Sequence, residues 1–126
     1  MIEPSFLTSE QVQTLHRIAL EQHGGQEGLR DPGTFQSAVM HPRNVWFYGQ
    51  GDIFDVAAAY AFHLAQAQAF VDGNKRTGLS AALVFLESNG SPVPHATDEL
   101  YAAMIALAER RLDKSGLAAL LRRLCG

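Results

Sequence analysis

The chain has 126 residues, 47% of them hydrophobic and 18% charged, which suits one domain able to bury a core without staples. A net charge of −3 argues against a protein that lives on nucleic-acid phosphates, and the single cysteine, Cys125, excludes an internal disulfide and fits a reducing compartment. The opening residues Met1-Ile2-Glu3-Pro4-Ser5 lack the basic and apolar regions of a secretory signal, and no apolar stretch reaches the roughly 18 to 20 residues of a membrane span. The chain therefore reads as cytoplasmic, with neither nucleic acid nor membrane as a direct partner.

Thr8 followed by Gln11 fits a capping box, and Val12, Leu15, Ile18 and Ala19 continue it as a helical stripe that Gly24-Gly25 and Gly28 stop. Asp31-Pro32 starts a second helix, with Asp as cap and Pro in the first position, carrying Phe35, Ala38 and Val39 to about His41-Pro42. Residues 43 to 52 read as irregular. Val45-Trp46-Phe47-Tyr48 followed by Gly49-Gln50-Gly51 suggests a short strand or a flap, with a small hairpin as an option. A third helix from Phe54 to about Ala69 and a fourth from about Asn74 to Ser88 are apolar on nearly every face, the pattern of helices buried in the middle of a domain. Thr97 is expected to cap a fifth helix with Asp98 and Glu99 in its first turn, and a sixth runs from Lys114 to Leu124 on Leu117, Leu120, Leu121 and Leu124. The expected fold is all-α: one compact domain over 1–126, about six helices with two buried central ones and a short flap.

Between the two buried helices lies a dense polar run, Asp72-Gly73-Asn74-Lys75-Arg76-Thr77. Lys75 and Arg76 fall in the first turn of a helix, where the macrodipole disfavours cations. An anion would resolve that conflict. Free amides at a helix start already attract phosphate, Gly73 permits close backbone approach, Arg76 can grip oxygens bidentately, and Lys75 adds a point charge. Asp72 stands where it can hold a Mg²⁺ that bridges phosphates. On spacing alone, Asp72 reads equally well as a helix cap and Asn74 as a turn residue, and Thr77 reads as structural, its hydroxyl turned onto its own helix. A P-loop is excluded, because no second glycine precedes the lysine and a helix, not a strand, leads in.

The run from Gln68 to Thr77 resembles the signature of the Fic/Doc superfamily, H-x-F-x-[DE]-G-N-G-R-x-x-R, and more closely its Doc branch, H-x-F-x-D-[AG]-N-K-R-T. Phe70, Asp72, Gly73, Asn74, Lys75, Arg76 and Thr77 match the Doc form in order and spacing. Lys75 replaces the second glycine of the Fic form, and Leu79 stands where Fic proteins carry their second arginine. Further likeness runs through Phe6-Leu7-Thr8, Gly28-Leu29-Arg30-Asp31, Ala57-Ala58-Ala59-Tyr60 and Ala82-Leu83-Val84-Phe85-Leu86. The resemblance implies a toxin that is partnered by an antitoxin whose C-terminal segment folds into a groove. It implies transfer of the ATP γ-phosphate to a threonine or serine of a translation factor, elongation factor Tu, whereas Fic proteins transfer AMP. It also implies Asp72 as the Mg²⁺ ligand and Gly73, Asn74, Lys75 and Arg76 as phosphate holders, with Lys75 and Arg76 also catalytic. Phe70 would anchor the loop, and the 43–50 segment would be the flap that docks the target through Trp46 and Tyr48.

One position departs from the signature. The family's histidine, the general base, is here Gln68. An amide can orient a hydroxyl but has no nitrogen that accepts its proton near neutral pH. Loss of a positioned base costs about 10²–10⁴ in rate. His63 lies five residues earlier, about 140° around the helix and roughly 7.5 Å along it, so it faces elsewhere. A single base change turns a His codon into a Gln codon. The substitution fits either an inactivating change in a toxic protein or a native relative that binds nucleotide or antitoxin without catalysing.

Overall fold

The computed structural model describes residues 2–126, which form seven helices: α1 (Ser9–His23), α2 (Pro32–Met40), α3 (Pro42–Phe47), α4 (Ile53–Ala67), α5 (Asn74–Ser88), α6 (Asp98–Ala108) and α7 (Lys114–Cys125). The all-helical expectation holds, and the start signals explain most of the boundaries. Thr8 and Gln11 exchange both bonds of the capping box, Thr8 N to Gln11 Oε1 at 2.8 Å and Gln11 N to Thr8 Oγ1 at 3.1 Å. Asp31 Oδ1 accepts from Thr34 N at 3.1 Å at the start of α2, and that bond holds its carboxyl below the usual range. Asp52 and Asp55 form a second capping box ahead of α4.

Helices α4 and α5 pack against one another most closely, and the others lie around them: α1 on α5, α2, α3 and α7 on α4, and α6 between α5 and α7. Small residues allow the close approach. Ala57, Ala58, Ala61, Ala81 and Ala82 are all fully buried, and a Cβ on Gly78 would sit 2.7 Å from Ala61 O. Tyr60, Phe85, Leu86, Leu100, Met104, Leu117 and Leu121 fill the surrounding core. Among the described residues no helix is long and apolar enough to cross a membrane.

Three expectations need correction. Residues 42–47 form a helix, not a strand or hairpin: Pro42 takes its first position, and Val45 and Trp46 then turn onto the core. Thr97 precedes α6 but makes no side-chain cap bond, so its acidic first turn acts through the dipole alone. Thr77 is fully buried and its Oγ1 has no hydrogen-bond partner among the described residues, so the hydroxyl is not turned onto its own helix.

His63 on α4 meets two other basic groups. Its ring lies 3.8 Å from that of His41, and Lys114 Nζ at the start of α7 donates to its Nε2 at 3.2 Å. Burial, with His41 and Lys114 nearby, pushes the His63 pKa down to about 4 from 6.5. The folded state thus resists a proton that the unfolded chain accepts near 6.5. Its contribution to stability is complete above that pH and is lost as the pH falls toward 4, at up to about 1 kcal/mol per pH unit once partial solvent screening is allowed for. Thermal melts between pH 7 and 4 are expected to show this slope, and His63→Gln to flatten it. An unchanged slope in the variant would assign the titration to another group.

Candidate nucleotide site at the start of helix α5

The loop between the two central helices is tied down from both sides. Gln68, which ends α4, is left-handed (φ 48, ψ 42), and Arg30 Nη2 donates to its carbonyl at 2.7 Å. The segment before α2 pairs with the loop through its backbone. Val71 N donates to Gly28 O at 3.0 Å, Arg30 N to Ala69 O at 2.6 Å, and Leu29 bridges Phe70 in antiparallel fashion. From below, the His16 ring stacks on Phe70 at 3.7 Å and its Nε2 donates to Asp72 O at 2.8 Å. Phe70 is buried against Phe35, which fits its expected part as an anchor. Asn74 spends its whole side chain on the loop: Oδ1 accepts from Phe70 N at 3.1 Å, and Nδ2 donates to Phe70 O at 3.0 Å.

This bracing holds open a cleft of about 370 Å³ between the end of α4, the loop and the C-terminus of α6. Gln68, Asp72, Gly73, Asn74, Lys75 and Arg110 line it, together with apolar residues of α4 and α6. Gly73 adopts φ +82 as the N-cap of α5 and brings no side-chain cap, so the first-turn amides keep their donors. The Lys75 ammonium has no ion-pair partner among the described residues. Asp72 Oδ2 accepts from Gln26 N at 2.7 Å, which fixes the carboxylate and leaves Oδ1 free of a protein donor. Free amides, one cation and one oriented carboxylate are the parts needed to hold a Mg²⁺-bridged polyphosphate. Among the described residues no three His, Cys, Asp or Glu gather as a metal cage.

Arg76 does not join this group. Successive residues on a helix point about 100° apart, so two adjacent cations cannot share one face. Its Nη1 lies 3.3 Å from His23 Nε2 and its Cζ 4.4 Å from the Tyr101 ring centroid, in a separate cleft between α1, α5 and α6. Only the Arg76 backbone amide belongs to the first turn beside Lys75. No histidine lines the Gln68 cleft: His16 lies behind the loop and His23 beside Arg76.

The 43–50 segment is remote from the cleft. Val45 and Gly49 to Gly51 surround Asp55 and the start of α7, and Asp55 precedes Gln68 by 13 helical positions, roughly 20 Å of axial rise. Tyr48 is 84% exposed there, while Trp46 is half-buried against the core. Segment 26–31, not 43–50, is what touches the signature loop. Sequence reasoning missed that segment, His16 and Arg110. His16 had a signal, since it falls four residues after Val12 on the buried stripe of α1.

A Fic/DOC family model matches residues 6–86, which include the whole loop, all of α4 and all but the last two residues of α5. The chain belongs to the Fic/DOC family. It is 33% identical over 121 residues to Protein kinase doc of Escherichia phage P1, covering 95% of each chain. It is 36% identical over 119 residues to Toxin Doc of Mycolicibacterium smegmatis, covering 90% of this chain and 88% of that one. Family membership thus rests on most of the chain and not on the short signature alone.

Proposed function

We propose that the chain is the toxin of a toxin–antitoxin pair, built as a Doc-type protein kinase and disabled at its chemical step by Gln68. Its substrates are Mg²⁺–ATP and a threonine or serine hydroxyl of a translation factor, elongation factor Tu, and its partner is an antitoxin that seats a C-terminal segment in a groove. The whole pathway is cytoplasmic. The observation that carries the reading is the cleft itself, where Asp72, Lys75 and the uncapped start of α5 meet Gln68. The names of the two relatives, a protein kinase and a toxin, agree with it.

The chain's own groups divide the work as follows. The amides of Asn74, Lys75 and Arg76 and the Lys75 ammonium hold phosphate oxygens. Asp72 would hold the Mg²⁺, which when bound would neutralise phosphate charge and polarise the transferred group. Arg30 pins the Gln68 carbonyl and so fixes where the side chain at 68 emerges. The Gln68 amide orients the acceptor hydroxyl by a hydrogen bond, but leaves its proton in place. Segment 26–31, which flanks Gln68, is the docking edge for the target. AMP transfer is the second reading. It is disfavoured at Leu79, where a largely buried aliphatic side chain stands in the place of the second Fic arginine.

Titration calorimetry checks the binding half. The chain is expected to bind Mg²⁺–ATP saturably, and Lys75→Ala to weaken it by about tenfold to a hundredfold, the worth of one charged hydrogen bond. Absence of saturable binding would remove the nucleotide reading.

A further inference from the structure

After Ala108, the end of α6, the chain reverses through Glu109, Arg110 and Arg111. Arg111 N donates to Ala106 O at 2.8 Å and Arg110 N to Leu107 O at 3.1 Å, the closing bonds of a Schellman-type turn. Such a turn needs one left-handed residue, and glycine is the unstrained choice. Here that residue is Arg110, with φ +62. Among the described residues only Gln50, Gln68 and Arg110 are non-glycine residues with positive φ, and two of the three line the same cleft. Backbone strain of this kind gathers at functional sites.

The charges point the same way. Arg111, Arg122 and Arg123, the other arginines of this C-terminal region, each pair with a carboxylate. Arg110 has no such partner among the described residues. Among the described residues, the only charged ones lining the cleft are Asp72, Lys75 and Arg110, because Arg76 is turned toward His23 and Tyr101. With Lys75 alone balancing Asp72, the cleft would be neutral before Mg²⁺ or nucleotide enters. Arg110 makes it cationic.

We infer that Arg110 is a phosphate-binding residue for the nucleoside triphosphate, gripping its phosphate chain across the cleft from Lys75 and supplying the second cation that Arg76 does not. The guanidinium fork suits two oxygens of a polyphosphate. The strained turn is kept because it aims that fork into the cleft. The inference rests on the nucleotide reading above.

The test titrates Mg²⁺–ATP into the complete chain and its Arg110→Gly, Arg110→Lys and Lys75→Ala variants, with a thermal melt of each. Arg110→Gly relieves the left-handed strain, so its Tm is expected to rise while its affinity for Mg²⁺–ATP falls about tenfold or more. Arg110→Lys keeps the strain and one charge, and is expected to keep part of the affinity. A purely structural arginine would give the rise in Tm alone. If Lys75→Ala weakens binding but Arg110→Gly binds as the parent does, Arg110 is a turn residue and this inference fails while the nucleotide reading stands. If the parent chain does not bind Mg²⁺–ATP, the nucleotide reading fails and takes the inference with it.

Discussion

Gln68→His is expected to raise phosphoryl transfer from Mg²⁺–ATP to protein by about 10²–10⁴-fold, the usual worth of a positioned general base. The backbone is ready for it. Position 68 sits in the left-handed region, which histidine enters more readily than most residues with a Cβ. Its carbonyl is pinned by Arg30 at 2.7 Å, and the next residue is fixed by the bond from Arg30 N to Ala69 O, so the new imidazole should emerge where the amide now does. Gln68 is exposed on the cleft, which leaves room for the ring. Gln68→Ala controls for the amide: it should leave Mg²⁺–ATP affinity unchanged and gain no activity. Initial rates for the three chains with a translation-factor acceptor give the comparison. Equal rates for the parent and the histidine variant would mean that position 68 does not supply the missing step.

The largest expected loss of stability is at Gly78. A Cβ there would lie 2.7 Å from Ala61 O and 3.4 Å from Ala61 Cα, backbone atoms in the middle of α4 that cannot swing aside. Gly78→Ala must therefore push the central helices apart and undo packing around Ala57, Ala58 and Ala82. Overpacking of this kind costs about 1–3 kcal/mol, against which the better helix propensity of alanine recovers less than about 1 kcal/mol. The expected fall in Tm is several degrees, about 4 °C per kcal/mol for a domain of this size. Gly33 in the first turn of α2 is the control, since the nearest atom to its Cβ would be Asp31 Oδ1 at 3.7 Å. Gly33→Ala should leave Tm unchanged or raise it slightly. Similar melts for the two variants would contradict the close α4–α5 contact.

Much of this arrangement was legible in the residues. All-round apolarity marked the two central helices, the Thr8–Gln11 and Asp31-Pro32 pairs marked two helix starts, and the misplaced charge at Lys75 drew attention to the start of α5, where the cleft lies. What escaped has physical causes. The pairing of segment 26–31 with the loop runs through backbone groups, which every residue carries, so no side-chain pattern announces it. The aromatic run at 45–48 suits a strand as well as a helix, and only its packing on the core decides for α3. Arg110 reaches the cleft through a positive φ that an arginine does not advertise. The divergence of Lys75 and Arg76, by contrast, follows from the helical repeat and was open to prediction.

The central claim is a nucleotide site that is complete except for its base. The most direct test incubates the Gln68→His chain and the parent with a lysate and Mg²⁺–ATP, labelled in separate runs at the γ- and at the α-phosphate. The account predicts γ-label on a translation factor with the histidine variant, none with the parent, and no α-label with either. A variant that binds Mg²⁺–ATP yet labels no protein from either position would contradict it.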